Sequence, residues 1–153
     1  MSEPTPAEEV RRLLDETDEA ALATRLVSEP DGPPYVSLVL LGRDARPGPL
    51  LLISQLADHT KNLSADPAAS LLLRSDAAGD PLAQARVTLL GRALREPAER
   101  REANKAAFLE RHPSAALYAD FGDFAFWRFE TEKAHLVAGF GRIHWLERAE
   151  LDF

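Results

Sequence analysis

The stretch ISQLADHTKNLSADP, from Ile53 to Pro67, gathers the chain's densest set of groups able to do chemistry. An apolar run, Leu50 to Ile53, stops at Ser54. Within a few residues come an imidazole (His59), a hydroxyl (Thr60), an ammonium (Lys61) and an amide (Asn62), with Asp58 before them. Two readings follow. In the first this is a capped helical turn: Asp58 or Thr60 caps it, Leu63 packs inward, and Asp66-Pro67 ends it, because a residue before proline avoids the helical region. In the second it is an anion site. A helix N-terminus carries unpaired N–H groups and partial positive charge, and His59, Thr60 and Lys61 add side-chain donors there. Ser37 and Ser54, at or near strand ends, could bring hydroxyls to the same place.

Other reactive groups read more simply. Phe124, Phe126, Trp127 and Phe129 put aromatics on both faces of one strand, which implies burial on both sides, in the core or at a dimer contact, or for Trp127 the wall of a ring pocket. Arg128 among them needs an internal acid. Gly139-Phe140-Gly141 suits a bulge, a bend or a close approach to a ligand. His112 before Pro113 suits a helix C-terminus, and His135 opens a strand with no partner in view. The four histidines show no metal-ligand spacing on a common helix face, so no metal site is expected.

The elements that must hold these groups can be read from texture. Thr5-Pro6-Ala7-Glu8 is a capping box with proline at the first helical position, and Val10, Leu13 and Leu14 share a face, so residues 1–18 carry an N-terminal helix. Strand texture follows at 20–27, 34–42, 49–54, 69–75 and 85–94, separated by turns rich in Gly, Pro and Asp. Residues 96–113 have helix composition, and residues 124–130, 134–139 and 142–147 return to strands. The gaps are too short for a helical crossover after each strand. The expectation is one domain, 1–153: a mainly β, α+β fold of six to eight antiparallel strands forming a barrel over 20–147, with a helical insertion near 97–119.

Composition narrows the function classes. With 153 residues and 45% apolar, the chain can bury a real core. It has no cysteine, which excludes disulfides and thiolate chemistry. Its net charge of −7 argues against non-specific nucleic-acid binding. No apolar run reaches the roughly 20 residues that span a bilayer, and the acidic start MSEPTPAEEV is unlike a signal peptide. A cytoplasmic protein with no membrane partner is expected.

The ordered segments ALAT, GPPYVSLVLL, PLLLISQLADHTKNLSADPAASLLL, ARVTLLGRAL and FGDFAFWRFETEKAHLVAGFGR together resemble the FMN-binding split-barrel superfamily related to pyridoxamine 5′-phosphate oxidase, over about Ala20 to Leu146. The HTxNL form at His59–Leu63 is similar to the branch that includes haem-utilisation oxygenases. The resemblance implies a homodimer with FMN at the dimer interface. It sets Val36, Ser37 and Leu38 along the flavin, Ile53 and Ser54 at its ring, and Arg86 at its polar edge. Thr60 and Asn62 fit this branch. His59 stands where relatives more often carry a phosphate-binding lysine, so His59, Lys61 and backbone amides share the phosphate role as alternatives. Arg142 and His144 match an Arg-x-His phosphate element of the oxidases that this branch usually lacks. The haem-degrading relatives carry further C-terminal sequence, which this chain is expected to lack.

Three functions follow from the resemblance: an FMN-dependent oxidoreductase acting on a small molecule, a haem-binding or haem-degrading protein, and a non-enzymatic flavin-binding dimer. No protein nucleophile or acid–base pair stands out, as expected where a cofactor carries the reaction.

Overall fold

The computed structural model describes residues 2–153; position 1 lies outside the described residues. Helix α1, Pro6–Glu16, starts as its sequence dictates. The Glu8 amide donates to Thr5 Oγ1 at 3.2 Å, and the Thr5 amide donates to the Glu8 carboxylate at 2.7 Å. Val10, Leu13 and Leu14 bury its apolar face in the main core. The seven strands are β1 (Glu19–Arg25), β2 (Pro34–Leu40), β3 (Leu50–Ser54), β4 (Ala68–Arg74), β5 (Arg86–Arg95), β6 (Phe124–Val137) and β7 (Ile143–Glu147). Helices α2 (Asp58–Ala65) and α3 (Arg101–Arg111) lie between β3 and β4 and between β5 and β6.

All pairings are antiparallel, in the order β2-β1-β4-β5-β6-β3, with β7 also on β6. A bridge between Gly42 and Leu50 brings the two ends of the sheet together. This is the expected antiparallel barrel, left incompletely closed between β2 and β3. No helix among the described residues is long and apolar enough to cross a membrane.

Residues 124–130 and 134–139, expected as two strands, form one strand of 14 residues. The polar run Glu130–Lys133 that looks like a break is a β-bulge. Leu90 pairs with Lys133 and Gly91 with Thr131, leaving Glu132 without a partner. Gly91 is required there, since a Cβ would run into the Glu130 carbonyl. The long strand serves two neighbours on one edge: its first part pairs with β3 and its last with β7.

Strand parity sorts the core into two clusters. Leu51 and Ile53 of β3, with Trp127 and Phe129 of β6, point into the barrel. Leu50, Leu52 and Phe126 point the other way and meet Phe108 of α3 with Ala115 and Ala119. A strand buried on both faces is why LLLI shows no polar alternation. Arg128 sits on the α3 side, and its ion pair is with distant acids, Asp44 and Glu96. His112 is buried, with its Nε2–H donating to the Leu41 carbonyl at 2.7 Å, so it ties α3 to the end of β2. His112 is also the C-cap of α3, as expected, its amide donating to the Phe108 carbonyl, while Arg111 donates to the Leu14, Asp15 and Thr17 carbonyls at the end of α1.

Candidate functional site

At the β3–α2 junction the cap is Ala57, which contributes no side-chain bond. Asp58 and Thr60, expected as caps, lie inside the helix, because the chain turns one residue earlier than the polar cluster suggests. Leu63 is buried and Asp66 closes the helix, as expected. His59 reaches across to β2, where Ser37 Oγ and His59 Nδ1 share a hydrogen bond of 2.9 Å. Thr60 is buried, and its hydroxyl has no partner. Lys61 is exposed.

The other residues expected at the site make the following contacts within the chain. Asn62 is buried between Val27 N, which it accepts from at 3.1 Å, and Thr24 Oγ1, which it donates to at 3.0 Å. Ser54 donates to Asp123 at 2.7 Å and accepts from Leu56 N, fixing the turn into α2. Ile53 is in the barrel core. Arg86 Nη1 donates to the Leu82 and Gln84 carbonyls at 3.0 and 3.4 Å.

Strand parity also separates Val36 and Leu38 from Ser37. Ser37 pairs with the buried Leu22 and faces inward. Val36 and Leu38 are 64% and 67% exposed on the outer face. There they begin rows that run across the sheet. Leu38, Ala21, Leu72, Thr88, His135 and Trp145 are successive register partners. Arg86, Val137 and Ile143 make the row on one side, and Leu90, Lys133 and Glu147 that on the other. The His135 ring stacks on Trp145 at 4.4 Å. Leu72, Ile143 and Trp145 are large, apolar and exposed. The sequence reading missed the part of Ile143 and Trp145 in this surface. The signal was the two-residue alternation of RIHWLE, whose outward members include Ile143 and Trp145.

The site therefore has two parts: an inward Ser37–His59 pair with the Thr60 hydroxyl at the start of α2, and an outward apolar face carrying His135. Burial pushes the His59 imidazole below its ordinary value, against an opposing pull from Asp58. The unfolded chain, with histidine near ~6.5, then binds that proton more readily than the folded one. Stability should fall as pH drops from about 6.5 toward the lowered folded value. His59→Gln should flatten that slope. Urea unfolding midpoints across the range measure it, and an unchanged slope would place the titration elsewhere.

The profile described as "CREG, beta-barrel" matches residues 2–151. The chain belongs to the CREG β-barrel family. Within reach of that family, it is 36% identical over 135 residues to the chloroplastic heme oxygenase HOZ of Arabidopsis thaliana, covering 88% of this chain and 41% of that protein. A heme binding protein from Mycobacterium smegmatis is 34% identical, with a TM-score of 0.90 over 99% of this chain and 62% of that one. HutZ, the heme storage protein of Vibrio cholerae, is 25% identical, with a TM-score of 0.71 over 86% of this chain and 92% of its own. The chain thus spans less than two thirds of the first two relatives, and the CREG β-barrel accounts for nearly all of it.

Proposed function

We propose that this protein binds haem on the outer face of its sheet, as a homodimer. The observation that carries the reading is the row ending in His135 and Trp145. A porphyrin is a flat apolar disc with two carboxylates, and its iron takes an axial nitrogen. The face offers a flat wall in Trp145 with Ile143 beside it, an imidazole in His135, and cations in the adjacent rows, Arg86 and Lys133. The residues fit the group. Bound haem would supply iron for ligand or oxygen chemistry. The chain would hold the ring, ligate it through His135 and pair its carboxylates. The relatives named for haem support the same reading.

The dimer rests on the same surface. Val36, Leu38, Leu72, Ile143 and Trp145 expose an apolar face across one sheet, larger than scattered surface residues explain. A second copy laid on it would cover both faces and enclose the haem.

A second reading, FMN binding, is favoured by the inward pair. The α2 N-terminus, His59, Ser37 and the unpartnered Thr60 hydroxyl would hold a phosphate, and the flavin would supply redox chemistry. Arg86 faces outward, so an arginine at the flavin's polar edge would have to come from the second copy.

One preparation tests all three statements. Titration with haemin should give a shifted Soret band, and His135→Ala should leave the spectrum of free haemin. A wild-type band unchanged by His135→Ala would overturn the ligand assignment, and flavin bands without any Soret shift would favour FMN. Adding a reductant in air separates a carrier, which keeps the band, from an oxygenase, which loses it. Sedimentation should give a dimer that Leu38→Arg splits, and a wild-type monomer at micromolar concentration would remove the dimer.

A further inference from the structure

A different cavity lies beneath the start of α3, on the far side of β6 from the barrel core. It has a volume of about 140 Å³ and is lined by Arg95, Glu96, Pro97, Arg101, Asn104 and Phe126 among others. Asn104 has no exposed surface, and neither its Oδ1 nor its Nδ2 has a partner. One turn earlier, Arg100 Nε is also buried and unpartnered. Asn104 sits one turn before Phe108 on the buried face of the helix. Leucine there would pack without any polar cost. A buried amide left unmet on both atoms is destabilising, and folded proteins seldom keep one without a group that satisfies it.

The surroundings specify that group. Pro97, Ala98 and Arg101 line the cavity where the helix begins, and the N-cap residue Arg100 makes no side-chain capping bond. The positive end of the helix dipole is therefore at this place. Arg101 is pinned there by the Phe124 and Ala119 carbonyls, and its guanidinium lies 5.6 Å from the Phe126 ring centre. The one acid, Glu96, is already bound by Arg46 and Arg128, so its charge is met. The helix end and the arginines call for an anion. Asn104 Nδ2 calls for an acceptor, while Asn104 Oδ1 calls for a donor. Sulfate and carboxylates bring acceptors alone. Water brings both but no charge. At ~30 Å³ per water, the cavity has room for roughly four or five waters, which suits an ion of about five heavy atoms.

We propose that this cavity binds a small free oxyanion that keeps an O–H, such as hydrogenphosphate, with Asn104 taking both a donor and an acceptor from it. The site stands apart from the haem reading and does not depend on it.

The test follows the Asn104 side-chain NH₂ signals of the ¹⁵N-labelled full chain, at neutral pH and constant ionic strength. Inorganic phosphate should shift them saturably. Sulfate should bind about tenfold more weakly or worse, the scale set by one buried acceptor left unmet. Glycerol phosphate, too large for the cavity, should leave them in place. Asn104→Leu, followed through the backbone amide signal of Arg101, which lines the cavity, should lose phosphate binding and, without phosphate, melt at a higher temperature. No saturable shift, sulfate equal to phosphate, or binding kept by Asn104→Leu would overturn the site, and equal binding of glycerol phosphate would overturn its restriction to a free ion. Should Asn104→Leu fail to fold, the phosphate–sulfate comparison on the wild type decides.

Discussion

Arg128→Ala should lower stability by about 3–5 kcal/mol, the usual penalty for stranding a buried charge. The Arg128 guanidinium is almost fully enclosed and grips Asp44 through both terminal nitrogens, at 2.8 and 2.9 Å. Its Nε and Nη2 also donate to Glu96 Oε1, and its Nη1 donates to the Gly48 carbonyl at 3.0 Å. One side chain thus fastens the 41–49 turn to β5 and β6. Removing it leaves the Glu96 carboxylate buried with only Arg46 on it, and the half-buried Asp44 with only the Arg46 amide. The pH response carries a signature. Burial alone would push the Asp44 carboxyl up, but the hydrogen bonds and charge of Arg128, with those of Arg46, together outweigh it and hold it below its ordinary value. A depressed folded value means stabilisation present above the unfolded carboxylate range and lost as pH falls through the folded one. In the variant that stabilisation shrinks, because only the Arg46 amide and charge remain on Asp44. Urea unfolding should therefore show the largest gap near neutral pH and a smaller one in acid. Arg128→Met with Asp44→Asn and Glu96→Gln should recover much of the loss. A gap independent of pH would mean that packing, not charge, is what Arg128 supplies.

Phe108→Ala should cost a similar amount, about 3–5 kcal/mol, by a different route. Phe108 is only 1% exposed and anchors the cluster under α3. Its ring meets Phe126 edge-on at 5.9 Å and His112 at 5.0 Å. Gly42 fits against it only because it has no side chain, since a Cβ there would overlap the ring. Little nearby can collapse into the void, which puts the cost at the upper part of the range. The loss should be local in its first effects. Hydrogen exchange should quicken in α3 and around the Leu41 carbonyl that His112 holds, before the β1–β4–β5 ladder responds. Uniform acceleration across the barrel would instead make the two clusters one cooperative unit.

The parts of this fold legible in the sequence were those set by local rules. The Thr5–Glu8 capping box, the turns and the antiparallel strands all follow from neighbours a few residues apart. The Glu132 bulge was not legible, because a polar break and a bulge have the same composition. For the candidate site, the link between the α2 cluster and β2 was read from the HTKNL stretch, and the Ser37–His59 bond joins those two elements. The roles within the cluster were not legible. Asn62 satisfies a loop amide and a strand hydroxyl that only tertiary structure brings near. The part of Ile143 and Trp145 in the outer face escaped for a related reason. Each strand shows its own outward apolar residues, but the register that lines them into rows is a property of pairings between distant segments.

The division of β6 between two neighbours also sets a timetable for the chain as it is made. The pairings of β1 with β2 and of β4 with β5 join segments close in sequence, so they can form early. Strand β3 cannot, because Leu50–Ser54 must wait for Phe124–Arg128 to leave the ribosome. At 5–20 residues per second the interval is on the order of ten seconds or less. During it LLLI, apolar on both sides, lacks the β6 strand that pairs with it. A pulse-labelled nascent chain arrested before Phe124 should then be captured by holdase chaperones at β3, and one arrested well past Val137 should escape them.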